Sequence, residues 1–187
     1  KWHPEVDTGA HLLLSLREAV KLGGGVPVRF AVLMHDLGKG VTPPEVLPSH
    51  HGHEGAGVEL VERFCARLRV PNHLRELAVI TSRYHTHVHR ARELRPATVL
   101  NTLENCDAFR RPERFADFLL ACEADARGRT GLESLPYPQR EFFARARDRA
   151  AAIALTAEER AGLTGAQIGE ELRRRRIAAI EELEFAS

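Results

Sequence analysis

Ten histidines in 187 residues is a high count, and eight of them fall between His35 and His89. Imidazoles at that density can hold metal ions or move protons near neutral pH. The sharpest local feature is His35-Asp36-Leu37-Gly38-Lys39, which follows an apolar run and has a glycine for a sharp exit. A His-Asp pair alone is a weak signal, because neighbouring helical residues point about 100° apart and cannot enclose an ion by themselves. They can supply two ligands if other segments deliver the rest. His11 upstream and Asp107 downstream are suitable donors, so the expected metal set is His11, His35, Asp36 and Asp107. Such a mixed imidazole and carboxylate set suits Mn²⁺, Fe²⁺, Co²⁺, Ni²⁺ or Zn²⁺ better than Mg²⁺, with positions left for water and substrate. The plainer alternatives are a capping or core role for His35-Asp36, a buried polar residue at His11 and an ordinary helix-end carboxylate at Asp107.

A second group is more ambiguous. In His50-His51-Gly52-His53-Glu54, His53 is the preferred candidate for a second ion or a substrate phosphate, or it simply caps the helix that follows. His85 reads as a second-metal ligand or a general acid. The catalytic set is therefore His35, Asp36, His85 and Lys39, the lysine reaching a phosphate oxygen as a point charge or standing solvated in a loop. Asp125 is placed to orient a ligand histidine. Arg127 and Arg129 either meet phosphates or merely complement a helix C-terminus. Arg173 to Arg176 form a solvated face with Glu170 and Glu171, or contact RNA backbone.

Helices must position these groups, since the apolar periodicity is helical almost throughout and no alternating stretch of useful length appears. The pattern predicts helices over about 8–22 (with Asp7 as N-cap), 28–37, 53–68, 72–85, 96–107, 112–127, 139–155 and 165–183. Residues 38–52 read as a long loop, which in compact domains is usually functional. The fold class is all-α: a helical bundle over 1–135 carrying the site, with a C-terminal helical extension over 136–187 packed on it.

The bulk numbers exclude other classes. A net charge of +1 gives no strong field for nucleic acid, and no apolar run reaches the length of a membrane span. Cys65, Cys106 and Cys122 are odd in number and far apart, which argues for thiols in a cytoplasmic core rather than a disulfide framework. A start at Lys1 with no targeting signal suggests that a further N-terminal part exists.

The His, His-Asp and distal Asp combination resembles the HD superfamily of metal-dependent phosphohydrolases. More closely, HPEVDTGAH (3–11), MHDLGKGVTPPEVLPSHHGHEGAGVELVERFCARLRVPN (34–72), LENCDAFRRPERF (103–115), CEADARGRTGLES (122–134), YPQ (137–139) and ELRRRRIAAIEEL (171–183) are similar to the C-terminal HD domain of proteobacterial-type CCA-adding tRNA nucleotidyltransferases. That resemblance implies an HD-domain helical bundle and a divalent metal (Ni, Mn, Co, Mg or Zn). It also implies phosphatase, 2′-nucleotidase and 2′,3′-cyclic phosphodiesterase activity within a multifunctional enzyme. tRNA and nucleoside 2′,3′-cyclic or 2′-phosphates are the implied substrates, with a nucleotidyltransferase head and a homodimer mate as partners. This chain carries no Gly-Ser nucleotidyl-transfer loop with paired carboxylates, so it is not expected to add CCA alone. Where the family often shows His-Asp, this chain has His85-Thr86. The competing readings are a non-catalytic helical module for tRNA binding or dimerisation, and an HD hydrolase of other nucleotides.

Overall fold

The computed structural model describes residues 8–185. Among the described residues there are nine α-helices: α1 (Thr8–Lys21), α2 (Val26–Met34), α3 (His53–Leu68), α4 (Asn72–His89), α5 (Pro96–Asn105), α6 (Pro112–Arg127), α7 (Pro138–Ala151), α8 (Ala157–Arg160) and α9 (Gly165–Glu181). No strand occurs among the described residues, so the all-α expectation is borne out. The expected Asp7 cap lies outside the described residues.

Local chemistry explains most boundaries. Prolines open α2, α5, α6 and α7, where a missing N–H costs nothing and the fixed φ favours the first turn. Thr156 with Glu159, and Thr164 with Gln167, form reciprocal capping boxes that start α8 and α9. α8 has a single turn and no apolar stripe, which is why periodicity did not reveal it. The 38–52 loop contains two short 3₁₀ turns, Leu37–Val41 and Pro44–Val46.

α6 packs on α1, α2 and α4, while α2 and α3 also pack on α4. α5 lies elsewhere, against α7 and α9. The main core holds Phe115, Phe118, Leu77, Leu100, Leu103 and Phe143, all nearly inaccessible to solvent, and it continues without interruption to Phe142, Ala146 and Ile180 of the last helices. Cys65, Cys106 and Cys122 are buried and unbridged. No helix among the described residues is long and apolar enough to cross a membrane.

Two glycines set the close approaches on which the site depends. A Cβ on Gly38 would overlap the His53 carbonyl oxygen, so glycine lets the chain leaving Asp36 press against the start of α3. A Cβ on Gly128 would overlap Ser15, so glycine lets the end of α6 close onto α1.

Candidate metal centre

α2 stops at Met34, one residue before the His-Asp pair. His35 is still helical in φ and ψ, whereas Asp36 turns out to φ −106°, ψ 12°. The pair therefore projects from the frayed end of a buried helix into the space between α1, α3, α4 and α6. His11 enters from α1, His53 from the first residue of α3, His85 and His89 from one face of α4, and Asp125 from the last turn of α6.

The Asp36 carboxylate has two differently occupied sides. Its Oδ2 lies 3.1 Å from His35 Nε2, 4.0 Å from His11 Nε2 and 2.5 Å from Lys39 Nζ. Its Oδ1 lies 3.6 Å from His53 Nε2 and 3.7 Å from His85 Nε2. Asp125 closes the set from behind, with Oδ1 2.9 Å from His11 Nε2 and 3.5 Å from His35 Nε2.

The hydrogen bonds fix what these imidazoles offer. His11, His35, His53 and His85 each point Nδ1 at a backbone carbonyl: Gly128 at 3.0 Å, Val32 at 2.7 Å, His50 at 2.9 Å and Thr81 at 3.0 Å. A neutral ring donating from Nδ1 presents a lone pair at Nε2, and here all four Nε2 atoms face carboxylate oxygens. Lone pairs do not stabilise one another, so the arrangement calls for protons or a cation between them. In keeping with this, His35 Nε2, His53 Nε2 and Asp36 Oδ1 are buried and complete no hydrogen bond. Such orphaned buried groups are rare without an ion or water to satisfy them. Three overlapping triads, His11–His35–Asp36, His35–His85–Asp125 and Asp36–His53–His85, each bring one donor atom per residue within 4.8 Å of the others. Nitrogen and oxygen donors at that spacing fit a divalent transition ion.

The charges agree. Burial opposes ionisation of Asp36 and Asp125, yet the facing His35 cation, with His85 and Lys39 at Asp36 and with His89 and His11 at Asp125, holds both carboxyls well below the usual range. Burial likewise opposes the His35 cation, but Asp36 and Asp125 outweigh it and hold that imidazole well above its ordinary value. His85 goes the other way: burial and the His35 charge push it down to about 3, against the pull of Asp125 and Asp36. A neutral His85 suits a ligand or proton acceptor, which weakens the general-acid alternative.

His89 plays a different part. Its Nε2 lies 2.6 Å from Asp125 Oδ2 and its Nδ1 lies 2.8 Å from the Tyr137 hydroxyl. In the neutral ring the tyrosine donates to Nδ1 and Nε2–H donates to Asp125. α4 extends one turn beyond the expected end near His85, which is what carries His89 here, and spacing of i, i+4 on a helix was the available signal.

The structure does not bring Asp107 to this centre. It sits just past the C-terminus of α5 at φ +55°, and its carboxylate is held by Arg110 at 2.6 and 3.0 Å. The physical reason is packing: α5 rests on α7 and α9, whereas α6 lies against the helices that carry His11 and His35. Asp125 of α6 occupies the place expected of the distal aspartate. Arg127 turns from the cluster to pair with Glu123 at 2.6 Å. His50 bonds Thr42, His51 is exposed, and His87 points at Thr102 on α5. Thr86, beside His85, donates to Glu54 at 3.0 Å, so the carboxylate at this point comes from α3.

The family model for the HD domain matches residues 8–118, well over half of the chain. The chain belongs to the HD domain family. As an HD domain it is a metal-dependent phosphohydrolase module, and its histidine and aspartate clusters fit a divalent metal. It is 55% identical over 98% of its length to the multifunctional CCA protein of Thioalkalivibrio sulfidiphilus. It is also 52% identical over 97% to that of Hahella chejuensis, and 51% identical over 98% to that of Vibrio cholerae. These matches cover 45%, 43% and 45% of the relatives, so the chain spans about half the length of the curated proteins it matches. No solved structure matches the chain.

Proposed function

We propose that this HD domain hydrolyses nucleoside 2′,3′-cyclic phosphates and 2′-phosphates, as the phosphohydrolase unit of a multifunctional CCA-type protein that acts on tRNA. The observation that carries the reading is the set of buried imidazole Nε2 atoms converging on Asp36 and Asp125. The ligand set is His11, His35, Asp36 and Asp125, with Asp36 shared toward His53 and His85. When bound, a divalent ion supplies Lewis acidity toward a phosphoryl oxygen and toward water.

The protein residues do the rest. Asp36 and Asp125 set the negative charge that retains the ion, and the Nδ1 bonds to backbone fix each imidazole before substrate arrives. A cavity of about 210 Å³ opens over His11, His35, Asp36 and Lys39. Lys39, held on Asp36, is the cation placed to meet phosphoryl oxygens there. His53, facing Asp36 Oδ1 and less enclosed than His85, is the imidazole placed to pass a proton to a leaving 2′- or 3′-oxygen.

The test is hydrolysis of adenosine 2′,3′-cyclic phosphate after chelation and re-addition of Ni²⁺, Mn²⁺, Co²⁺, Mg²⁺ or Zn²⁺ in turn. Asp36→Ala and His35→Ala should remove turnover with helicity retained. Undiminished turnover in either variant refutes the assignment.

A further inference from the structure

The HD family match ends at residue 118, yet the cluster of imidazoles and carboxylates does not. Asp125 lies past that point, and so does a short segment, Tyr137 to Gln139, that reaches back to the cluster from the start of α7. Two contacts tie this segment to His89. The Tyr137 hydroxyl lies 2.8 Å from His89 Nδ1, and Gln139 Nε2 donates to the His89 backbone carbonyl at 3.5 Å. One side of the His89 ring is thereby held from α7, and the other meets Asp125 Oδ2 at 2.6 Å.

The proton positions follow from the partners. Burial, with Cys122 and the Asp125 charge nearby, holds the Tyr137 phenol well above its ordinary value, so the hydroxyl keeps a proton to give. Asp125 is held ionised, and an ionised carboxylate only accepts, so His89 Nε2 carries the proton in their contact. The last side-chain torsion of a histidine lies in a broad well, and a single hydrogen bond leaves the ring plane loosely set. A second bond, on the opposite side of the ring, fixes it. The Tyr137 ring also meets the imidazole edge-to-face with centroids 5.8 Å apart, so its packing and its hydroxyl are separable contributions.

We propose that Tyr137 is a positioning residue for the metal centre. Its hydroxyl fixes the His89 ring so that Nε2–H engages Asp125 Oδ2 and leaves Oδ1 turned to His11 and His35. The segment beyond the HD match thus completes the site rather than merely covering it. The inference rests on Asp125 being a ligand, as in the proposed function, and it makes ion affinity depend on a hydroxyl that acts only through His89.

The experiment is a double-mutant cycle, with Ni²⁺ binding read by calorimetry on the unmodified chain, Tyr137→Phe, His89→Ala and the double variant. Phenylalanine keeps the ring and removes only the hydroxyl. Tyr137→Phe should weaken Ni²⁺ binding about tenfold, the lower end of what such supports contribute. In the His89→Ala background the same change should alter affinity by less than about twofold, because its route to Asp125 is gone. A residue that merely supports the fold would cost the same in both backgrounds. The His89 Nε2–H proton should be visible by NMR in the unmodified metal-free chain and broadened or lost in Tyr137→Phe. Equal Ni²⁺ affinity in Tyr137→Phe and the unmodified chain, or equal losses in the two backgrounds, would overturn the inference. If the unmodified chain binds none of Ni²⁺, Mn²⁺, Co²⁺, Mg²⁺ or Zn²⁺, the metal reading fails, and the Nε2–H signal alone then upholds or overturns the hold of Tyr137 on His89.

Discussion

His89 Nε2 donates to Asp125 Oδ2 at 2.6 Å while the other oxygen of the same carboxylate faces His11 and His35. The carboxylate is thus aimed from behind, and the aiming group is itself held by Tyr137, at the start of the C-terminal helices. Supports of this kind typically contribute about 10- to 100-fold in metal affinity. His89→Ala should therefore weaken binding of Ni²⁺ or Mn²⁺ by about that factor, as read by calorimetry, with His89→Gln recovering part of it. Equal affinity in His89→Ala and the unmodified chain would show that Asp125 needs no such support.

Asp107 and Asp125 make a paired prediction because one lies in an arginine cluster and the other in the imidazole cluster. Asp125→Asn removes a charge from the centre of the site and should cost more than about 100-fold in metal affinity. Asp107→Ala should leave affinity and turnover within about twofold. Metal titration of both variants decides the matter, and a large loss in Asp107→Ala would reinstate it as a ligand.

The contrast shows where sequence reasoning carries and where it stops. Helices with strong apolar stripes, such as α3 with Val61 and Cys65 buried, are legible because burial of one face enforces the period. The local His35-Asp36-Gly38 pattern is legible because ion binding and the tight exit each demand particular residue types. The choice between Asp107 and Asp125 is not local. It depends on α6, rather than α5, lying against α1 and α2, which follows from core packing across about 100 residues. The role of His89 behind Asp125 was not legible for a related reason, since it needs the extra turn of α4 together with the packing of α6 on α4. Single-turn α8 has no periodicity to read.

The metal-free chain should be most stable near pH 6.5, with a loss on each side. The His35 value is raised in the fold, so its contribution is complete below the unfolded value of about 6.5 and is lost as pH climbs through the raised value. His85 is lowered to about 3, so between pH 6.5 and 3 the unfolded chain binds a proton that the fold refuses, and stability falls as pH drops. Asp36 and Asp125 add to the acid side, because their stabilisation is lost as pH falls through their depressed values. Urea midpoints measured with chelator from pH 4 to 9 should trace this shape. His35→Asn should flatten the alkaline side and His85→Asn should soften the acid side. A midpoint still rising from pH 6.5 to 9 in the unmodified chain would contradict the assigned charge states.

Gly38 couples the metal pair to the second histidine group through backbone contact alone. Because a Cβ there would meet the His53 carbonyl and the Gly57 amide, Gly38→Ala must push the 3₁₀ turn away from α3. Overpacking of this kind costs about 1–3 kcal/mol, or a fall of roughly 2–10 °C in Tm for a chain of this size. The displacement separates Asp36 from His53 while leaving His11 and Asp125, on other helices, where they are. Metal titration of Gly38→Ala should accordingly show an altered site on the His53 side, read as a broadened or shifted His53 imidazole signal by NMR, beyond the loss of Tm. If Tm and the His53 signal were both unchanged, the close approach of Gly38 to α3 would not be what sets the position of Asp36.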